Sequence, residues 1–266
     1  MCMGLLSSLE RYFIYAPQKS LITTPAEHGF EYENIKFRAD DSTLLHGWFV
    51  PKANARATVL LCHGNAGNVS YQIDQIRLFQ SLQLSVFTFD YRGYGQSEGK
   101  PCEEGLYRDS KAAWRVLTET KRLLPERIVI FGHSLGGCVA AWLGKEVKAG
   151  ALILQATFTT IRQIAKSIYP YLPLRKIMRS RYDNLSNIAQ ANSPVLIVHS
   201  VDDEIIPFEH GKRLFEAAKE PKEFLQICYG HDEAGRSPNY LAGLKAFLDK
   251  YLPPSPATES EDIAPA

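Results

Sequence analysis

RIVIFGHSLGGCVAA, running from Arg127 to Ala141, decides how the rest of the chain is read. It opens on Ile128, Val129, Ile130 and Phe131, an apolar, β-branched run of the kind that fills a buried strand. A turn follows at Gly132-His133-Ser134-Leu135-Gly136-Gly137, and then small residues, Cys138, Ala140 and Ala141, that suit a closely packed helix. Strand, tight turn and helix are the context in which G-x-S-x-G presents a nucleophilic serine. A serine at the tip of such a turn projects its hydroxyl away from the chain. The strained backbone beside it needs neighbours without a Cβ, here Gly132 and Gly136. A helix beginning at Ser134 also aims free N–H groups and the positive end of its dipole at the place where an oxyanion would form. The competing reading is an ordinary strand, glycine turn and helix with an incidental serine. The motif alone recurs by chance, and it is the flanking pattern that favours catalysis.

Outward from this stretch, strands and helices alternate. Residues 35–39 and 44–50 read as two short strands joined at Asp40-Asp41, a hairpin signal. Apolar strands follow at 57–62, 85–90, 151–155, 195–200 and 224–228. Helices are expected near 70–81, over 102–123 with Leu106, Ser110, Ala113, Trp114 and Leu117 on one face, over 208–218 and over 240–251. In the last, Tyr240, Leu241, Leu244, Phe247, Leu248 and Tyr251 mark the buried stripe. Alternation of this kind with continuous apolar strands implies an α/β fold, a mostly parallel sheet flanked by helices on both faces. Residues 157–192 break the rhythm with aromatics, two prolines and a set of basic side chains, too long for a connection and too polar for another core helix. They are read as a small helical cap inserted into a single domain spanning 1–252. The tail, 253–266, is polar and proline-rich and expected to be disordered.

A serine hydroxyl needs a base within hydrogen-bond reach, and the base needs a carboxylate to orient it. In open α/β sheets such residues sit in loops at the carboxyl ends of strands. After the 195–200 strand come Asp202, Asp203 and Glu204, and after the 224–228 strand come His231 and Asp232. Serine, acid and histidine thus follow one another in the chain, each at a strand end. His133 lies within the turn itself, His199 within a strand, and His28, His46 and His210 follow no suitable strand end, which leaves His231 as the base. His63 follows a strand but in the wrong order, and is read as a structural brace. Asp202 and Asp203 both remain open as the acid. Two N–H donors are needed for a tetrahedral intermediate. One is that of Leu135, directly after the serine. The other is expected from the loop His63-Gly64-Asn65-Ala66-Gly67-Asn68, at Asn65.

Composition bounds the alternatives. With 266 residues the chain is long enough for a substantial core, and 45% apolar with 22% charged residues is the balance of a globular protein. A net charge of +1 argues against nucleic acid as a partner. Five scattered cysteines fit free thiols in a reducing, cytoplasmic setting rather than a disulfide framework, and no Cys/His spacing suggests a bound metal or cofactor. The first residues lack the charged region of a signal peptide. Residues 5–15 read as a short amphipathic helix that packs against the body, with weak contact to a membrane surface as the alternative.

Taken together, CHGNAGN (62–68), DYRGYGQSEG (90–99), GHSLGG (132–137), SPVLIVHSVDDEIIP (193–207) and YGHDE (229–233) resemble the α/β-hydrolase superfamily. The resemblance is closest to its small serine-hydrolase branch with an HGNxG loop, which includes membrane-associated acyl hydrolases and protein depalmitoylases. It implies an eight-stranded sheet whose second strand is antiparallel. It also places the acid at the last position of an H-G-x-x-D run, here His199 to Asp203 with Ser200 where glycine is usual, so that Asp203 rather than Asp202 orients His231. The DYRGYG loop is structural in the family. The expected function is a metal-independent serine hydrolase, esterase-, thioesterase- or lipase-like, acting on a small or lipid-like acyl substrate. Ser134 is the nucleophile, and Tyr94 and Phe158 are expected to line the acyl pocket. A serine peptidase and a non-catalytic binding module on the same fold are the alternatives.

Overall fold

The computed structural model describes residues 10–168 and 179–253. Its centre is an eight-stranded sheet. In chain order the strands are β1 (Glu33–Arg38), β2 (Leu44–Val50), β3 (Ala57–Cys62), β4 (Leu84–Asp90), β5 (Ile128–His133), β6 (Ala151–Gln155), β7 (Val195–Ser200) and β8 (Lys222–Ile227). Across the sheet they lie in the order β8-β7-β6-β5-β3-β4-β2-β1. Every neighbouring pair from β8 to β4 is parallel, and β2 runs antiparallel to both β4 and β1.

The alternation of side chains along each strand sorts the core into two layers. On β5, Ile128 and Ile130 join one apolar cluster, while Val129 and Phe131 join the other. The first layer is closed by α2 (Glu103–Arg115), α3 (Leu135–Glu146), α4 (Ile161–Ile168), α5 (Asn184–Ile188) and α6 (Glu209–Ala217). The second is closed by α1 (Ile73–Ser81) and α7 (Tyr240–Tyr251), whose Ile76, Phe79, Leu244 and Phe247 are fully buried. Both faces of the central strands are therefore dry, which is why β3, β4 and β5 read as unbroken apolar runs.

Some boundaries differ from expectation. The helix expected to reach residue 123 ends at Arg115 and continues as a π-helical turn, Val116–Thr120, closed by Lys121 N–H donating to Val116 O at 2.9 Å. Arg122 then takes a positive φ of 56° ahead of Pro125, so the chain unwinds early. The helix expected near 70–81 begins at Ile73, after a separate short turn at Val69–Tyr71. In α7, Leu241 is not part of the buried stripe but exposed.

Of the segment read as a cap, the described parts are helical at Ile161–Ile168 and Asn184–Ile188. Its ends are less polar in effect than in composition, because Phe158, Ile164, Tyr182 and Ile188 are buried in the first layer. Its centre, 169–178, lies outside the described residues, as do 1–9 and the tail from 254. Of the expected N-terminal helix, residues 10–14 are helical and packed on the body, with Glu10 and Ile14 buried. Among the described residues no helix is long and apolar enough to cross a membrane.

Candidate active site

Ser134 stands between β5 and α3 with φ 53° and ψ −120°. A non-glycine residue holds such a conformation only where its surroundings over-determine it. Here they do. Ser134 N–H donates to Gln155 O at 3.0 Å, and Ser134 O accepts from Gly137 N–H at 3.0 Å and from the Thr157 hydroxyl at 2.7 Å. The glycines are required by contact as well as by conformation. A Cβ on Gly132 would lie 2.3 Å from Gly136 O, and one on Gly136 would lie 2.1 Å from Cys62 O. The turn is thus pressed against the end of β3, and this brings Ser134 beside the loop that leaves β3.

That loop carries Asn65. Asn65 O accepts from the Tyr94 hydroxyl at 2.8 Å and from Ala16 N–H at 3.1 Å, while its side-chain amide donates to Ile14 O at 3.2 Å. With the carbonyl and the side-chain NH2 both engaged, the backbone N–H is the main-chain donor this loop can offer to the site. The N–H of Leu135 is the first of α3 and has no intrahelical acceptor. His63 sits beneath the loop as expected, buried, with Nδ1 bonded to Gly64 O at 2.8 Å and its ring 4.3 Å from that of Tyr91. Tyr94 requires a correction. It is wholly buried, packed edge-on against His63 at 5.3 Å, and supports the loop from behind instead of lining the pocket. The cause is the tight turn that bonds Tyr94 N–H to Tyr91 O at 2.9 Å and folds both rings inward.

At the same carboxyl ends of the strands, toward the β8 edge of the sheet, the loops after β7 and β8 are held together by three successive acidic residues. His231 Nδ1 lies 2.8 Å from Asp203 Oδ2. Asp202 Oδ2 accepts from Tyr229 N–H at 3.1 Å, and Glu204 Oε2 accepts from His231 N–H at 3.1 Å. The other oxygen of Asp203 accepts from the N–H groups of Ile205 at 3.0 Å and Ile206 at 2.7 Å. Burial works to raise the carboxyl of Asp203, but the His231 bond and these N–H donors outweigh it and hold the group below its usual range. His199 backs the acid loop, donating from Nε2 to Ile206 O at 2.9 Å. The three acids look alike in the chain, but only Asp203 reaches the imidazole.

Ser134, His231, Asn65 and Leu135 open on one cavity of about 620 Å³. Its lining includes the apolar side chains of Phe13, Ile14, Phe158, Ile161, Ile164 and Ile206. It also includes Gln72, Asp74, Gln75, His133 and Asp232. Phe158 is among the residues that line this cavity. The N-terminal segment does more than pack, since Phe13 and Ile14 form part of the wall, and nothing in the local pattern of residues 10–14 announces that. His133 is kept neutral, at about 4, chiefly by burial and further by its neighbour His231. The chain spacing shows no metal cluster, yet the fold gathers His133, His231 and Asp232 with ligand atoms within 4.8 Å of one another.

A family model described as the alpha/beta hydrolase fold matches residues 57–176. The alpha/beta hydrolase domain-containing protein WAV2 of Arabidopsis thaliana is 34% identical, over 94% of this chain and 91% of its own length. The human alpha/beta hydrolase domain-containing protein 17B is 34% identical over 75% of this chain and 68% of its own. Among solved structures, the esterase Pf2001 of Pyrococcus furiosus superposes with a TM-score of 0.74 at 20% identity, covering 89% of this chain and 99% of that one. The chain belongs to the α/β-hydrolase family. Its fold is the family's, a mostly parallel eight-stranded sheet flanked by helices.

Proposed function

We propose that the protein is a serine hydrolase that cleaves carboxylic esters or thioesters through an acyl-enzyme. The observation that carries this is the 2.8 Å bond between Asp203 and His231 in a site whose cavity also holds Ser134 at a positive φ. With Nδ1–H donated to Asp203, the imidazole presents its Nε2 lone pair to the cavity. Nε2 takes the proton of Ser134 Oγ as the oxygen attacks the acyl carbon. The negative charge on the former carbonyl oxygen is held by the N–H groups of Asn65 and Leu135. The imidazolium then gives its proton to the departing oxygen or sulfur, and the acyl group stays on Ser134. Water, deprotonated in turn by His231, releases the acid. Asp203 remains ionised throughout and stabilises the cation. The apolar wall from Phe13 to Ile206 receives a small or lipid-like acyl group.

Esterases among the structurally similar proteins support this direction. Free thiols at Cys62, Cys102, Cys138 and Cys228 support a reducing, cytoplasmic setting. Ser134→Ala is the direct test, assayed on p-nitrophenyl esters of increasing chain length with a thioester and a peptide alongside. A loss on the order of 10⁴–10⁶ in kcat is expected, with little change in melting temperature. Hydrolysis within about tenfold of wild type would remove Ser134 as nucleophile.

A further inference from the structure

We propose that His133, His231 and Asp232 form a zinc-type metal site whose occupation switches the proposed hydrolase off. His133 ends β5, directly before Ser134, while His231 and Asp232 lie in the loop after β8. The fold brings His133 Nε2 to 3.6 Å from Asp232 Oδ1 and sets the two imidazole rings 5.0 Å apart at 43°. Two imidazoles and a carboxylate are a donor set that zinc accepts, with a water in the fourth position. Bonds of about 2.0–2.2 Å place tetrahedral ligands roughly 3.3–3.5 Å apart, so the His133–Asp232 spacing already fits. The widest separation in the trio, within 4.8 Å, must close by about an ångström. Asp232 has a side chain 78% exposed and free to swing.

A second feature points the same way. His231 Nδ1 is engaged by Asp203, and a carboxylate on one ring nitrogen is the arrangement that orients a histidine and raises its basicity as a metal ligand at the other. The bond that makes His231 Nε2 a base toward Ser134 therefore also makes it a better metal ligand, and it cannot be both at once. Besides the 3.6 Å approach of Asp232, His133 Nε2 makes a long contact, 3.4 Å to His231 O, that a metal would readily replace. Neither His133 nor Asp232 has a task in the hydrolytic steps proposed above. The inhibitory half of the inference rests on that hydrolytic reading. The metal site does not.

The test uses the full chain, stripped of metal, with zinc chloride as the probe. Titration calorimetry reads binding without turnover. One equivalent should bind at about micromolar concentration, and Asp232→Ala, His133→Gln and His231→Ala should each weaken it by about tenfold or more. In parallel, zinc should inhibit ester hydrolysis over the same range, EDTA should restore it, and Asp232→Ala should need about tenfold more zinc for half-inhibition relative to its own metal-free rate. Absence of binding up to about 1 mM would overturn the site. So would binding that survives Asp232→Ala and His133→Gln but is lost on alkylating the thiols. Binding at the trio with undiminished hydrolysis would overturn the switch, whereas a Ser134→Ala variant that stays active would overturn the hydrolytic reading and leave the calorimetry untouched.

Discussion

Replacing Asp203 by asparagine should cost about four orders of magnitude in kcat, and the structure says how. One carboxylate oxygen accepts from the N–H groups of Ile205 and Ile206, at 3.0 and 2.7 Å, and the other faces His231 Nδ1 at 2.8 Å. An asparagine must keep its carbonyl oxygen on the two backbone donors. The flipped amide would set NH2 against two N–H groups and leave both unsatisfied, at about 1–3 kcal/mol each. The amide NH2 is therefore directed at His231 Nδ1. That nitrogen must then accept, the ring proton moves to Nε2, and Nε2 can no longer take a proton from Ser134. A wrong-tautomer histidine of this kind loses roughly 10⁴ in kcat, equivalent to about 5.4 kcal/mol of transition-state stabilisation. Asp202→Asn is the control, because its oxygen can still accept from Tyr229 N–H and its loss should stay within about threefold. Steady-state rates on a p-nitrophenyl ester, with circular dichroism melts to show that both variants fold, decide the matter. Asp202→Asn as the more damaging change, or Asp203→Asn with more than about a tenth of wild-type kcat, would refute the reasoning.

Gly136→Ala should be damaging out of proportion to one methyl group, since the new Cβ would lie 2.1 Å from Cys62 O and 2.4 Å from His63 O. A loss of at least about 1–3 kcal/mol in stability is expected, together with a large fall in kcat as the strand leading to Asn65 is pushed away; wild-type melting and turnover would contradict the packing described. His210 is held neutral, at about 4, first by burial and then by the neighbouring His199 and Arg213, with Nδ1 accepting from Thr159 N–H at 3.2 Å. Its folded value lies below the unfolded one, near about 6.5, so between the two the unfolded chain binds the extra proton. Stability should therefore fall as pH drops from about 6.5 toward 4, by up to about 1.4 kcal/mol per unit from this group. Urea unfolding at several pH values should show a shallower dependence in His210→Gln, and an identical slope would remove His210 as the cause. EDTA should not lower ester hydrolysis, because the oxyanion donors proposed are backbone N–H groups; inactivation by EDTA, reversed by added metal, would sink the mechanism.

Periodicity and residue type carry local information, and this chain is unusually clear in them. Continuous apolar runs at 57–62, 128–131, 151–155 and 195–200 can be satisfied only between two covered faces, so a doubly covered parallel sheet follows without coordinates. GHSLGG marks the serine because only glycine tolerates the close approach at Gly132 and Gly136. The order of serine, acid and histidine at strand ends is a property of the chain as well. What the residues leave open is anything set by long-range approach. Asp202, Asp203 and Glu204 differ little as a string, and it is resemblance to a family pattern that singles out Asp203. It is the geometry of the loop after β7 that turns Asp203 alone onto the imidazole and gives its neighbours to backbone N–H groups. Tyr94 had the composition of a pocket residue, but the turn from Tyr91 buries it behind Asn65. The wall formed by Phe13 and Ile14, and the meeting of His133 with Asp232 from the loop after β8, have no signature in spacing. Such contacts join segments tens to hundreds of residues apart. No local propensity encodes them, and only the packing of the two core layers brings them together.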